Sequence, residues 1–142
     1  MTSSLVKQAA RAQAAVRRRG LFASLSASEW AATIEDFDGK CAYCDRPYWT
    51  LDHFIPMVAG GPSWVGNCVP SCQTCNNSKG RLTPRYVFFV PKKRIEQIRY
   101  YLERRQHGFR SWPPPVELAI HEELEALSTT PQKKGLGSSR DG

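Results

Sequence analysis

Two Cys-x-x-Cys pairs, Cys41-Ala-Tyr-Cys44 and Cys72-Gln-Thr-Cys75, constrain this chain more than any other feature. Each pair presents two thiolates about one turn apart, and two such knuckles complete a tetrahedral four-sulfur shell. Segments far apart in sequence must then meet at one point, with residues 45–71 looped out between them. That geometry suits a structural zinc ion, because a closed four-thiolate shell leaves no open coordination position. A redox pair and an iron–sulfur cluster are the alternatives, and neither explains why the intervening residues are so polar. Cys68, the odd fifth cysteine, sits four before Cys72 and reads as a small buried apolar residue.

The wider chain is that of one folded domain. It has 142 residues, 41% of them apolar and 23% charged, which is ordinary for a globular protein. No apolar run approaches the roughly 18 residues of a membrane span, and the N-terminus lacks a signal-peptide core. A cytoplasmic protein with no membrane partner is expected, and in that compartment clustered cysteines are metal ligands more often than disulfides. The net charge of +7 is uneven. Residues 1–20 hold Lys7, Arg11, Arg17, Arg18 and Arg19 with no acid, and residues 79–110 hold ten Lys and Arg against Glu96 and Glu103. Two basic segments beside a metal-ligand cluster point to a polyanionic partner, most simply a nucleic-acid backbone. A solubilising surface is the plainer alternative.

Periodicity places the elements. Leu5, Ala9, Ala12 and Val16 recur at helical spacing, giving an amphipathic basic helix that ends by Gly20. Ser26-x-x-Glu29 is a capping box opening a second helix with Trp30, Ile34 and Phe37 on its apolar face. Tyr48 to His53 reads as a strand and Asn67 to Pro70 as its return. The glycines and prolines of residues 56–66 leave only an irregular loop between them. A short helix starts near Gln73, and "YVFFVP" is a strand or a packed connector. A further helix runs from Lys92 to His107 with Ile95, Ile98 and Leu102 on one face. The prolines 113–115 form a spacer, followed by an acidic helix to about Leu127 and a disordered tail from Ser128. Residues 1–25 are thus expected as a basic extension, 26–90 as the core, 91–127 as a helical extension and 128–142 as tail.

With the cysteines assigned, Asp52, His53, Asn67, Asn76, Asn77 and Lys79 remain in one short span. Singly, each has a bland role as a cap, a turn residue or a partly buried histidine. Together, inside a loop closed by the metal site, they form a constellation. Cys41-x-x-Cys44, "LDHFIP", the glycine pair, Asn67 and "CxxCNxxKG" ending at Gly80 closely resemble the HNH endonucleases that carry a zinc ribbon, over about Trp30 to Pro84. The resemblance implies an α+β fold: a ββα-metal core with a four-cysteine zinc ribbon, flanked by N-terminal and C-terminal helices. It implies hydrolysis of phosphodiesters in DNA, with Zn2+ structural and Mg2+ or Mn2+ catalytic. Asp52 then matches a ligand of the catalytic ion, His53 the general base, and Asn67 the residue that braces the loop and so the base. Asn76 matches the second ligand, with Asn77 as the alternative. Members of this family serve in phages, mobile elements and restriction, so phage packaging or restriction partners are conceivable.

A neutral histidine can take a proton from water at pH 7, and a hard cation acts as Lewis acid at the phosphate. Neighbouring residues on a strand face opposite ways, so Asp52 and His53 serve one site only if the strand ends or twists there. Lys79, Arg81 and Arg85 are expected on phosphates near the cut, with Lys92, Lys93 and Arg94 extending the footprint. A noncatalytic zinc-ribbon DNA-binding or adaptor protein, or a ribonuclease of the same fold, would share most of these features. The Asp52-His53 pair is what a binding module would not require.

Overall fold

The computed structural model describes residues 3–114; the expected acidic helix and C-terminal tail lie outside them. Four helices and a two-stranded antiparallel sheet make the fold α+β. Helix α1 (Ser3–Arg18) buries Ala9, Ala12 and Val16, the apolar stripe that its spacing predicts. Helix α2 (Ala27–Asp36) opens with the capping box complete: Glu29 N–H donates to Ser26 Oγ at 3.1 Å, and Ser26 N–H to Glu29 Oε1 at 2.8 Å. Gln8 locks the two helices together, accepting from Trp30 Nε1 at 2.9 Å and donating to the Trp49 carbonyl at 3.2 Å. Beneath these bonds Ala9, Leu25, Trp30 and Cys68 share a buried cluster.

Strand β1 (Thr50–His53) pairs with β2 (Cys68–Ser71), with Asp52 opposite Val69 and His53 opposite Cys68. Helix α3 (Gln73–Lys79) follows β2 directly, so hairpin and helix form one ββα unit. The loop between the strands is tied down at its base. Asn67 Oδ1 accepts from the Ile55 N–H at 2.8 Å, while its Nδ2 donates to the Ile55 and Pro62 carbonyls at 2.9 Å each. Gly61 fits only because it lacks a side chain: a Cβ there would lie 1.7 Å from the Ile55 carbonyl oxygen.

The "YVFFVP" segment is a connector and not a strand. It opens with a single 3-10 turn at Pro84–Tyr86, and Val87 and Val90 anchor it in the core. Helix α4 (Lys92–Arg105) lays Ile95, Ile98, Tyr101 and Leu102 into the larger core, with Phe37, Tyr43, Phe54 and Val69. Polar ties hold it there: Tyr101 Oη donates to Asp36 at 2.7 Å, and Arg110 bridges Glu35 and Asp36. Among the described residues, no helix is long and apolar enough to cross a membrane.

Candidate metal centre and hairpin site

The four thiols of the two knuckles meet, with their sulfur atoms all within 4.8 Å of one another. Ligands about 2.3 Å from a tetrahedral zinc lie roughly 3.8 Å apart, and Cys44 Sγ and Cys72 Sγ are already 3.6 Å apart. Each knuckle is shaped by an amide pointing at sulfur: Tyr43 N–H at Cys41 Sγ and Cys75 N–H at Cys72 Sγ, both at 3.4 Å. Burial pushes the Cys41 thiol up. It also opposes ionisation of Cys72, but the Cys75 amide and neighbouring thiols prevail and bring Cys72 down to about 7. The cluster is therefore placed to hold a metal ion. Cys68 stands apart from it, fully buried and against Ser63 Oγ at 3.8 Å, its thiol pushed up to about 12 by burial.

The hairpin presents its polar residues beside this cluster. Strand β1 ends at His53, but the ladder stays regular through Asp52 and His53. Their side chains accordingly find different partners. Asp52, only 7% exposed, accepts from Tyr43 Oη at 2.5 Å and faces the Lys79 ammonium at 3.3 Å. Burial raises its carboxyl above the usual range, against the pull of Lys79 and Tyr43. On the other side His53 Nε2 lies 3.2 Å from Ser63 Oγ. Burial, and then the charge of Lys79, lower the imidazole to about 4, so the ring is neutral at pH 7. What joins the pair is Lys79, whose ammonium also donates to the His53 carbonyl at 2.9 Å.

Lys79 is thereby corrected. At 1% exposure its ammonium is a buried strut between α3 and β1 and cannot reach a phosphate; position i+4 from Cys75 turns it inward with the knuckle. Arg94 is corrected too. Its guanidinium donates to the Ala42 carbonyl at 2.9 Å and to Asp45 at 2.8 Å, clamping α4 onto the first knuckle and holding the Asp45 carboxyl below its ordinary value. Arg81, Arg85, Lys92 and Lys93 are exposed, as expected. Asn76 is half-buried, one turn before Lys79 on α3, and its side-chain amide has no hydrogen-bond partner among the described residues; Asn77 is exposed.

Two contributors escaped the sequence reading. Tyr43 occupies a variable position of a knuckle, where nothing in the spacing marks its hydroxyl. Ser63 lies in the glycine-proline loop, and its backbone is held from outside the hairpin: its carbonyl accepts from Ser24 N–H at 2.9 Å and Leu25 N–H at 3.1 Å, and its N–H donates to the Phe22 carbonyl at 3.0 Å.

A four-thiolate cluster clasping a ββα hairpin with a terminal Asp-His pair defines a class of metal-stabilised hairpin folds. Residues 41–82 match the model of the HNH endonuclease family. No curated protein matches the chain.

Proposed function

We propose that this protein is a metal-dependent endonuclease that hydrolyses phosphodiester bonds in DNA, with His53 as general base. The observation that carries the reading is the placement of the imidazole. It ends β1, and one ring nitrogen is engaged by Ser63 at 3.2 Å while the other has no partner among the described residues. Action through Nδ1 requires the proton to sit on Nε2 and point at Ser63 Oγ, which then donates to Cys68 Sγ. Nδ1 keeps its lone pair in that tautomer and takes the proton from the attacking water.

The zinc ion assigned to Cys41, Cys44, Cys72 and Cys75 has a closed shell and joins the hairpin to α3 without taking part in the reaction. The donors suited to a catalytic ion are of another kind. The Asp52 carboxylate, which faces Lys79, and the unpartnered Asn76 amide, one helical turn before Lys79, offer hard oxygens. Two protein ligands suit Mg2+ or Mn2+, which keep several waters, and a carboxylate has about four acceptor sites, more than Tyr43 and Lys79 use. Such an ion, when bound, supplies Lewis acidity at the scissile phosphate. The Lys79 charge on the same carboxylate weakens its binding and selects against a tight site. Asn67 keeps the loop closed, so Ser63 and His53 stay in register. Exposed Arg81 and Arg85, following α3, bear on the flanking phosphates, with Lys92, Lys93 and the basic face of α1 beyond them.

The test is nicking of supercoiled plasmid by zinc-loaded protein in Mg2+, Mn2+ or EDTA, with an RNA substrate in parallel. His53→Ala should lower the cleavage rate by roughly 10²–10⁴ at unchanged zinc content. A folded His53→Ala protein that cuts at the wild-type rate would end this mechanism.

A further inference from the structure

The connector between α3 and α4 exposes an aromatic surface that phosphodiester hydrolysis does not need. Along Tyr86-Val87-Phe88-Phe89-Val90 the two valines are buried, at 4% and 5% exposure. The three aromatics are turned outward, with Phe88 83% and Tyr86 52% exposed. The segment is not slack. The 3-10 turn closes with Tyr86 N–H to the Thr83 carbonyl at 2.9 Å, and Pro91 caps α4 immediately afterwards. Rings are therefore held out on an ordered base, as a contiguous aromatic run of the kind that marks an interaction surface. A groove of about 630 Å3 runs alongside, floored by Val87 and Ile95 and rimmed by Phe88, Arg85, Lys92 and Arg99. The Arg85 guanidinium stacks over Tyr86 at 5.6 Å. The one acid in the groove, Glu96, is paired with Arg99 at 3.4 Å.

Aromatic faces between cationic side chains are the pattern that binds single-stranded nucleic acid, where unpaired bases stack on rings and cations track the backbone. Duplex backbone contact uses only the cations. We propose that the Tyr86–Phe89 surface and its groove bind an unpaired segment of DNA, with one base stacked on Phe88. The basic rim favours this polyanion over an apolar peptide or a second copy of the chain, which would bring like charges together. The proposal rests on the nuclease reading only for the identity of the partner as a polynucleotide.

The experiment is fluorescence anisotropy with the zinc-loaded full chain, without added Mg2+ or Mn2+, using labelled oligo(dT) of about 16 nucleotides and a duplex of equal length. Phe88→Ala should weaken oligo(dT) binding roughly tenfold, the usual effect of losing one stacked base, and change duplex binding less than about twofold. Phe88→Trp should restore oligo(dT) binding. Equal losses on both probes, or no binding of oligo(dT) by the wild type, would overturn the proposal. So would light scattering showing that Phe88→Ala converts a self-associated protein to monomer, since the patch would then be an interface between copies. If oligo(dT) binding depends on Phe88 while no nucleic acid is ever cut, the nuclease reading fails and this one stands. If plasmid is cut while Phe88→Ala binds oligo(dT) like the wild type, this one fails alone.

Discussion

Replacing Lys79 separates a buried strut from a surface phosphate contact. Its ammonium is 1% exposed and holds both the Asp52 carboxylate and the His53 carbonyl. Removing one partner of a buried ion pair leaves an uncompensated charge and costs about 3–5 kcal/mol, whereas an exposed lysine changed to alanine stays within about 0.5 kcal/mol. At roughly 4 °C per kcal/mol for a domain of this size, Lys79→Ala should melt about 12–20 °C below the wild type. Asp52 is itself deeply placed and raised by burial, so in the variant it escapes part of the cost by binding a proton. The deficit should therefore be largest at neutral pH and narrow as pH falls into the carboxylate range. Asp52→Asn combined with Lys79→Met should be less destabilised than the sum of the single changes, because each single change strands the other group. Calorimetry or urea denaturation of zinc-loaded protein at two pH values measures all of this. A Lys79→Ala variant as stable as the wild type, but weaker on DNA, would refute the buried-strut assignment.

Cys41→Ser, or zinc removal by a strong chelator, should yield a poorly folded protein, because Cys41 and Cys75 lie on either side of the hairpin; a zinc-poor variant with full thermal stability would contradict that. His53 makes stability depend on pH with a definite sign. Its folded value of about 4 lies below the ordinary 6.5, so the unfolded chain binds the extra proton and stability falls as pH drops from about 6.5 towards 4. The loss between pH 7 and pH 5 is on the order of 2 kcal/mol, and it should vanish in His53→Gln when denaturation midpoints are compared. Nitrogen NMR should find the His53 ring in its Nε2–H form, and an Nδ1–H ring would contradict the assigned base. On random duplex, Arg81→Glu with Arg85→Glu should flatten the dependence of log affinity on log salt, and a slope unchanged from the wild type would remove these residues from the footprint.

Much of the scaffold was legible because its signals are local. The Cys-x-x-Cys pairs, the Ser26–Glu29 box and the apolar stripes of α1 and α4 each reflect short-range geometry, and the structure places them as their spacing predicts. The site itself was legible as residue types and much less as contacts. Lys79 reads as a phosphate ligand because lysines usually lie on surfaces, and only the pairing of α3 with β1 turns it towards Asp52. Arg94 looks like part of a basic helix until the first knuckle folds under it. Tyr43 and Ser63 carry no periodic or motif signal, since their importance comes from what lies opposite them in space. The aromatic connector was ambiguous for a related reason: five apolar residues in a row do not say which of them the core will claim.

The chain from Phe22 to Leu25 gives this hairpin a third rail. Three main-chain bonds fasten Ser63 to it, and Ser63 faces the imidazole of His53. The same rail is tied to α1, where the Arg17 guanidinium donates to the Ala23 carbonyl at 3.2 Å. The residue beside the histidine ring is thus anchored from outside the hairpin. A version of the protein trimmed to begin at the Ser26 box would keep every motif residue and lose the segment that fastens Ser63 beside His53.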